Sequence, residues 1–460
     1  MSRFPPPSPA DLVMCEAERL ADHPDANATV GAVLHLTGAV PDPAGLREHV
    51  TARLAGLPCL THVLTGDGPT ARWTPAVPDL TWHVRAQRVA GEPGALEAAV
   101  RLHLREPWTE GVPAWRMVLL HGHVADGFAL LYLTHHAVQD GASVVTVMET
   151  LFGPPLRPEQ FSVLARDVSP VPRPRPRQAV RSGVVLLRHA RKHRLWRSAS
   201  HPLSGRRHTL WVQAPSGGLR TVARAAGAST NDVYLTALAH AIAQWAEESW
   251  PGATGAAIPV MVPVNLRTPD EAAAPGNRLF LTRIDLPGGT MPVGRRLART
   301  RPLTSALKSA EHRTVLRAAL IRLPRGLFRR LVAASTVPGR LTVCASSLVM
   351  RRRLHYGEAA VHGIDPVICC PPGVPLAVVA LSYGDTTSVC FRIDRALPDG
   401  DTLPARWSRA LADLAAAASP CTGSAPPPPG RTPAGRAATV VRALVTWLAQ
   451  RSTAGRARRR

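Results

Sequence analysis

The run Thr134-His135-His136-Ala137-Val138-Gln139-Asp140-Gly141 carries the residue types best suited to chemistry. An imidazole can be neutral near pH 7 and can take a proton from a reacting group. Two histidines and an aspartate also suit a metal site, or the base and orienting acid of a triad. No third ligand follows at a metal spacing, and neither a Gly-x-Ser-x-Gly element nor a partnered cysteine supplies a nucleophile. Walker and dinucleotide fingerprints are absent as well. What remains is a single general base, read here as His136. Neighbouring side chains diverge in a turn, so His135 is expected to pack or hydrogen-bond instead.

These residues need a rigid support. Residues 128–133 are apolar throughout and predict a buried strand, and residues 142–148 can open a helix. The polar residues therefore sit at a strand end. Before them, strands are expected at 29–36, 60–64, 71–73, 80–86 and 115–120, with helices over 43–55 and 94–103. After them, Val168 to Arg177 alternates Pro with Arg and reads as a semi-rigid basic linker, followed by a basic helix over 178–196. The second half predicts strands at 208–212, 257–264, 279–284 and 340–347, and a hairpin of 374–383 with 387–393. Helices are expected over 218–226, from a Ser229/Asp232 capping box to about 248, within 292–335, and over 402–418. This gives an α/β (α+β) chain in four parts: a lobe over 1–167, a linker over 168–207, a lobe over 208–419, and a Pro-rich joint with a basic tail over 420–460.

Length and composition agree. A chain of 460 residues exceeds one ordinary core, and its 45% hydrophobic content supports a globular protein. The net charge is +23, almost all from arginine, since Lys192 and Lys308 are the only lysines. Such charge suits anionic lipid surfaces, nucleotide-bearing thioesters or acidic carrier proteins. No zinc-finger, RNP or basic-leucine pattern supports a nucleic-acid partner. Seven cysteines without CxxC spacing argue for a reducing cytoplasm, and no apolar leader or membrane-length apolar run is visible.

The motif string resembles the HHxxxDG element of CoA- and carrier-protein-dependent acyltransferases, the superfamily of chloramphenicol acetyltransferase and of nonribosomal condensation domains. Within it, the chain is most similar to the bacterial wax ester synthase/diacylglycerol acyltransferase family. Pro9-Ala10-Asp11 resembles that family's opening segment, Pro113-Ala114-Trp115 its Pro-Leu-Trp element, and Asn231-Asp232-Val233 its Asn-Asp-Val helix start. Pro263-Val264-Asn265-Leu266-Arg267 with Gly276-Asn277 resembles its Pro-Val-Ser-x-Arg and Gly-Asn elements. The likeness runs over residues 9–419. It departs at Ala345-Ser346-Ser347-Leu348-Val349-Met350, where the family carries Ser-Asn-Val-Pro-Gly-Pro, and at Ala114 in place of Leu.

The resemblance implies two chloramphenicol-acetyltransferase-like lobes forming a pseudo-dimer around a central tunnel. It implies a fatty acyl group moved from acyl-CoA, as co-substrate and without further cofactor or metal, to an alcohol or diacylglycerol hydroxyl. His136, the second histidine, is the implied base, in a catalytic motif with His135, Asp140 and Gly141. Asp140 is expected to turn away and pair bidentately with Arg267, while Gly141 allows the next backbone step and close approach of substrate. The positive end of the following helix is expected near the developing oxyanion. Asn277 supports a turn, and Asn231, Trp115 and Ser346 are expected to contact substrate. The alternative is a condensation-like enzyme of specialised metabolism that uses a carrier-bound donor; a non-catalytic binding protein is the third reading. The expected location is the cytoplasm, peripheral to the inner face of an anionic membrane.

Overall fold

The computed structural model describes residues 4, 6–19, 23–154, 201–322, 324, 326–328, 330, 342–370 and 373–418. The basic helix over 178–196, nearly all of the linker and the whole tail lie outside them. The strands are β1 (Thr29–Thr37), β2 (His62–Thr65), β3 (Arg72–Pro75), β4 (Val84–Arg88), β5 (Trp115–His121), β6 (Gly127–His135) and β7 (Arg207–Pro215). Next come β8 (Ile258–Asn265), β9 (Leu279–Leu286), β10 (Val343–Met350), β11 (His355–Tyr356), β12 (Ala359–Val367), β13 (Leu376–Tyr383) and β14 (Thr386–Asp394). The longer helices are α1 (Pro9–Arg19), α2 (Pro43–Thr51), α3 (Ala95–Leu104), α4 (Gly141–Phe152), α5 (Ser216–Ala225), α6 (Thr230–Ser249), α7 (Val293–Ser305), α8 (Ala310–Arg322) and α9 (Leu403–Ala418).

Two six-stranded sheets form the frame. The first runs β11-β12-β1-β6-β5-β4, and the second β7-β14-β13-β10-β8-β9. Strand β6 is central and every residue in it is buried, as its unbroken apolar run requires. One face of its sheet packs Leu130 and Tyr132 against Leu46 and Val50 of α2 and Val147 and Leu151 of α4. The other packs Leu131 and Leu133 against Ala99, Val100 and Leu104 of α3. Gly31 of β1 sits where a Cβ would lie 1.9 Å from the Tyr132 carbonyl oxygen, so only glycine lets β1 close on β6 there. One face of the second sheet is covered by α5, α6, α7 and α9, with Trp245, Tyr234 and Trp407 in that core.

Two expectations are corrected. Residues 80–86 do not form one strand. Leu80–His83 is a helical turn capped by Asp79, whose carboxylate accepts the Thr81 N–H at 2.8 Å, and β4 begins only at Val84. Residues 355–367, given no element from sequence, form β11 and β12, and β12 pairs antiparallel with β1 in the first sheet. The first sheet is therefore not built from N-terminal residues alone. The Arg-rich stretch from 292 divides at a short 3-10 turn, Ala306–Lys308, between α7 and α8.

A third feature prepares the site. Strand β10 pairs with β13 along its length but with β8 only at Val343 and Cys344. Beyond that point β10 and β8 separate. Residues 344, 346 and 348 share one face of β10, and Leu348 packs against Gly141 at the start of α4. The gap therefore opens beside the histidine motif. Among the described residues no helix is long and apolar enough to cross a membrane.

The Ser229/Asp232 box is formed in both directions: Asp232 N–H donates to Ser229 Oγ at 3.3 Å and Ser229 N–H to Asp232 Oδ2 at 2.7 Å. Replacing Ser229 by Ala removes one half of it. We expect a loss of about 1 kcal/mol in urea unfolding, and an unchanged midpoint would show that the box contributes nothing.

Candidate active site

The motif main chain is pinned on both sides. His135 N–H donates to the Ala114 carbonyl at 3.0 Å and His136 N–H to the Ala28 carbonyl at 2.7 Å. This sends the two imidazoles apart. His135 is buried, its Nδ1 accepts the Ala137 N–H at 3.0 Å, and its Nε2 donates to Glu18 of α1. Both ring nitrogens are thus committed, which gives His135 the packing and hydrogen-bonding role.

His136 is half-buried. Its carbonyl accepts Asn277 Nδ2–H at 2.7 Å. Its Nδ1 is buried and has no hydrogen-bond partner among the described residues. Burial lowers the pKa of this imidazole below the ordinary value, and the nearby Asp140 charge offsets only part of that effect. The ring is therefore neutral at physiological pH. With Nδ1 buried, Nε2 is the nitrogen left to accept a proton from a substrate.

Asp140 does not orient either imidazole. It caps α4, with Oδ1 accepting the Ser143 N–H at 2.9 Å. Its Oδ2 accepts Arg267 Nη2–H and the Arg278 N–H, both at 2.9 Å. Burial would raise this carboxyl; the Arg267 guanidinium and these hydrogen bonds overcome it and hold the pKa below the usual range. The contact with Arg267 is through one nitrogen, not the expected bidentate fork. The remaining Arg267 bonds run to the carbonyls of Glu271, Ala274 and Gly276, so the guanidinium folds the 265–278 loop around itself.

That loop joins a wider buried network. Glu271 accepts two bonds from Arg317, at 2.6 and 3.0 Å, and one from Arg278 at 3.3 Å. Asp11 of α1 accepts the N–H and Nδ2–H of Asn277, at 2.7 and 2.8 Å. Asn277 is therefore more than a turn residue: it ties Asp11 to the backbone of the base. Asp11 and Glu18 stand two turns apart on one face of α1 and reach the loop and His135 respectively. Sequence reasoning assigned roles to none of Asp11, Glu18, Glu271 and Arg278. The seven-residue spacing of two acids on the opening helix was the available signal.

Several expected roles change. Gly141 lacks a left-handed backbone; a Cβ there would lie 3.0 Å from Leu348 Cδ1, so a larger residue would have to displace that side chain by a few tenths of an ångström. The close approach seen at Gly141 is that of the Leu348 side chain. At the N-terminus of α4 the Asp140 carboxylate caps the Ser143 N–H. Trp115 is fully buried, donates Nε1–H to the Leu60 carbonyl at 2.9 Å and stacks on His83 at 4.3 Å. It is a core residue of the first sheet and does not contact substrate. Asn231 lies half-buried in the first turn of α6, where Ser229 is the cap and Asp232 accepts Thr304 Oγ1–H at 2.6 Å. Ser346 is half-buried on β10, past its last pairing with β8 and on the same strand face as Cys344 and Leu348.

Replacing Arg267 by Met leaves the Asp140 carboxylate buried without its cation, at a cost of about 3–5 kcal/mol at neutral pH. A carboxyl with a lowered folded pKa stabilises the protein above its unfolded value of about 3.9 and stops doing so as pH falls through the folded value. The gap between wild type and variant in urea unfolding should therefore be widest near neutrality and narrow on acidification. A gap that widens in acid would contradict this assignment.

A family model described as the wax ester synthase/diacylglycerol acyltransferase catalytic domain matches residues 8–199. Relatives from two strains of Mycobacterium tuberculosis, which carry the name diacylglycerol O-acyltransferase, are 28% identical over 419 residues, 76% of this chain and 80% of theirs. The solved wax ester synthase/diacylglycerol acyltransferase from Marinobacter aquaeolei VT8 is 19% identical with a TM-score of 0.58, covering 90% of this chain and 100% of that one. The starter condensation domain of rhizomide synthetase, solved with C8-CoA and Leu-SNAC, is 13% identical with a TM-score of 0.63, covering 90% and 94%. The first condensation domain of the calcium-dependent antibiotic synthetase is 17% identical with a TM-score of 0.62, covering 89% and 95%. The structural likenesses establish the chloramphenicol-acetyltransferase-like fold. The histidine motif lies inside the matched region, and that region is similar to the catalytic domain of the wax ester synthase/diacylglycerol acyltransferase family of acyltransferases.

Proposed function

We propose that this acyltransferase moves a fatty acyl group from acyl-CoA to the hydroxyl of an alcohol or a diacylglycerol, with His136 as general base. The observation that carries the reading is a neutral, half-buried imidazole with its Nε2 uncommitted, held by its backbone at a strand end. The acceptor oxygen attacks the thioester carbonyl carbon while its proton passes to His136 Nε2. The tetrahedral intermediate collapses, the carbon–sulfur bond breaks, and the departing thiolate takes the proton from His136. Ester and free CoA thiol result, and the base is restored. No covalent enzyme intermediate and no cofactor beyond the CoA co-substrate enters these steps.

Ser346, and Asn231 at the start of α6, are proposed to meet substrate; Asp140, Arg267 and Asn277 position the loop. The altered segment 345–350 favours one second reading, a carrier-bound donor as in condensation enzymes. The net charge of +23 supports work at an anionic lipid surface on the cytoplasmic side, where water-insoluble acceptors reside.

Purified protein given acyl-CoA and a long-chain alcohol or diacylglycerol should release thiol and form ester. His136→Ala should lower turnover about a hundred- to ten-thousandfold. Undiminished ester formation in that variant would remove the base assignment, and activity restricted to a carrier-bound donor would select the second reading.

The base works when neutral, and its pKa is lowered from 6.5. The kcat/KM profile should accordingly be level around neutrality and fall only on the acid side of 6.5. A fall beginning above 6.5 would show that the group is not buried as described.

A further inference from the structure

A neutral imidazole carries one N–H, so one of its nitrogens donates and the other accepts. If Nε2 of His136 is to take the substrate's proton, Nδ1 must carry the ring's own. That Nδ1 is buried, and a buried N–H left without an acceptor is costly. The turn fixes where the ring sits and leaves open which nitrogen is protonated.

One buried acceptor nearby is unused. Asn277 is 1% exposed, and its Oδ1 has no hydrogen-bond partner among the described residues. The other end of the same amide is spent. Nδ2 donates to Asp11 Oδ1 at 2.8 Å and to the His136 carbonyl at 2.7 Å. Asp11 Oδ1 also accepts the Asn277 main-chain N–H at 2.7 Å. A flipped amide would set its oxygen against both the Asp11 carboxylate and the His136 carbonyl, so these bonds fix which end is oxygen. Oδ1 therefore stands on an amide that already touches His136, with no donor of its own.

The electrostatics agree. Burial lowers the His136 pKa, and its own main chain, the Asp140 charge and the Asn277 side chain oppose that effect. An acceptor facing a ring N–H favours the charged ring, whereas a donor would disfavour it. Asn277 acts on the imidazole as an acceptor does.

We infer that Asn277 is a positioning residue that sets the tautomer of the base: its Oδ1 accepts the His136 Nδ1–H, and Asp11 holds the amide in the orientation this requires. The three form an acid–amide–imidazole array. Because the amide is neutral, it directs the ring proton without a carboxylate's pull towards imidazolium. Hydrogen bonds of this kind are often long in a substrate-free site and tighten when substrate binds. The inference rests on the acyl-transfer reading for the identity of the base, but the tautomer is measured without turnover.

Protein labelled with nitrogen-15 in its histidine rings, with His136→Gln to assign the signals, reports the tautomer by NMR. Wild type at neutral pH should show His136 protonated at Nδ1 and bare at Nε2. Asn277→Ala removes the oxygen and should move the proton to Nε2. With acyl-CoA and hexadecanol it should lower kcat about tenfold and leave the KM for acyl-CoA unchanged. Asn277→Asp keeps an oxygen in place and should keep the Nδ1–H form. A wild-type ring protonated at Nε2 would overturn the assignment whether or not the variants fold. An Asn277→Ala ring still protonated at Nδ1 would do so too. Loss of the Nδ1–H form in both variants would have the same force, since the turn and not the oxygen would then set the tautomer. If the tautomers follow the expected pattern and no ester forms, the acyl-transfer reading fails and the array stands.

Discussion

A carboxylate taken out of water has to be met by charge or by strong donors, and Asp140 is such a carboxylate. Arg267, just past the end of β8, and the main chain of Arg278 meet it. One contact thereby does three jobs. It completes the cap of α4, it fixes the turn that presents His136, and it fastens the first sheet to the loop of the second. Because Arg267 also gathers three loop carbonyls, the 265–278 segment takes its shape from the same guanidinium. Asn277, at the end of that segment, then returns to hold the His136 backbone. The base stays in place because a second-sheet arginine needs a first-sheet acid.

Burial acts on the two groups in different ways. For Asp140 it is a penalty that the arginine overcomes. For His136 it outweighs the partial offset from the Asp140 charge, and that keeps the imidazole uncharged. A closer cation-binding carboxylate on His136 would make a stronger base but a protonated one. Nature's separation of the acid from the base is thus a condition for the chemistry, and the Asp of the motif is architectural.

What the sequence disclosed was local. The β6 apolar run, the turn after it and the Ser229/Asp232 box each involve residues a few positions apart, and propensity and capping rules reach that far. The fold and the Asp140–Arg267 pairing came through resemblance, not through pattern. Glu18, Asp11, Glu271 and Arg278 were hidden because their roles depend on partners brought together only by the tertiary fold. The 80–86 segment misled because alternating β-formers concealed a cap at Asp79. Trp115 misled because likeness to a family element says nothing about which face of a strand a side chain takes. Strand β12 was missed because Ala359, Ala360, Gly363 and Pro366 dilute its period-two pattern.

The pairing of β12 with β1 has a bearing on biosynthesis. The two strands are linked by the contact of His35 with Asp365, 330 residues apart along the chain. During translation the β6 side of β1 can be occupied early, but its other edge has no partner until residue 367 has emerged. A nascent chain therefore carries a bare, largely apolar strand edge through most of its synthesis, the kind of edge that invites pairing with another chain. The histidine sheet becomes whole only near the end of translation, which makes the ribosome-bound protein dependent on whatever shields β1 in the interval.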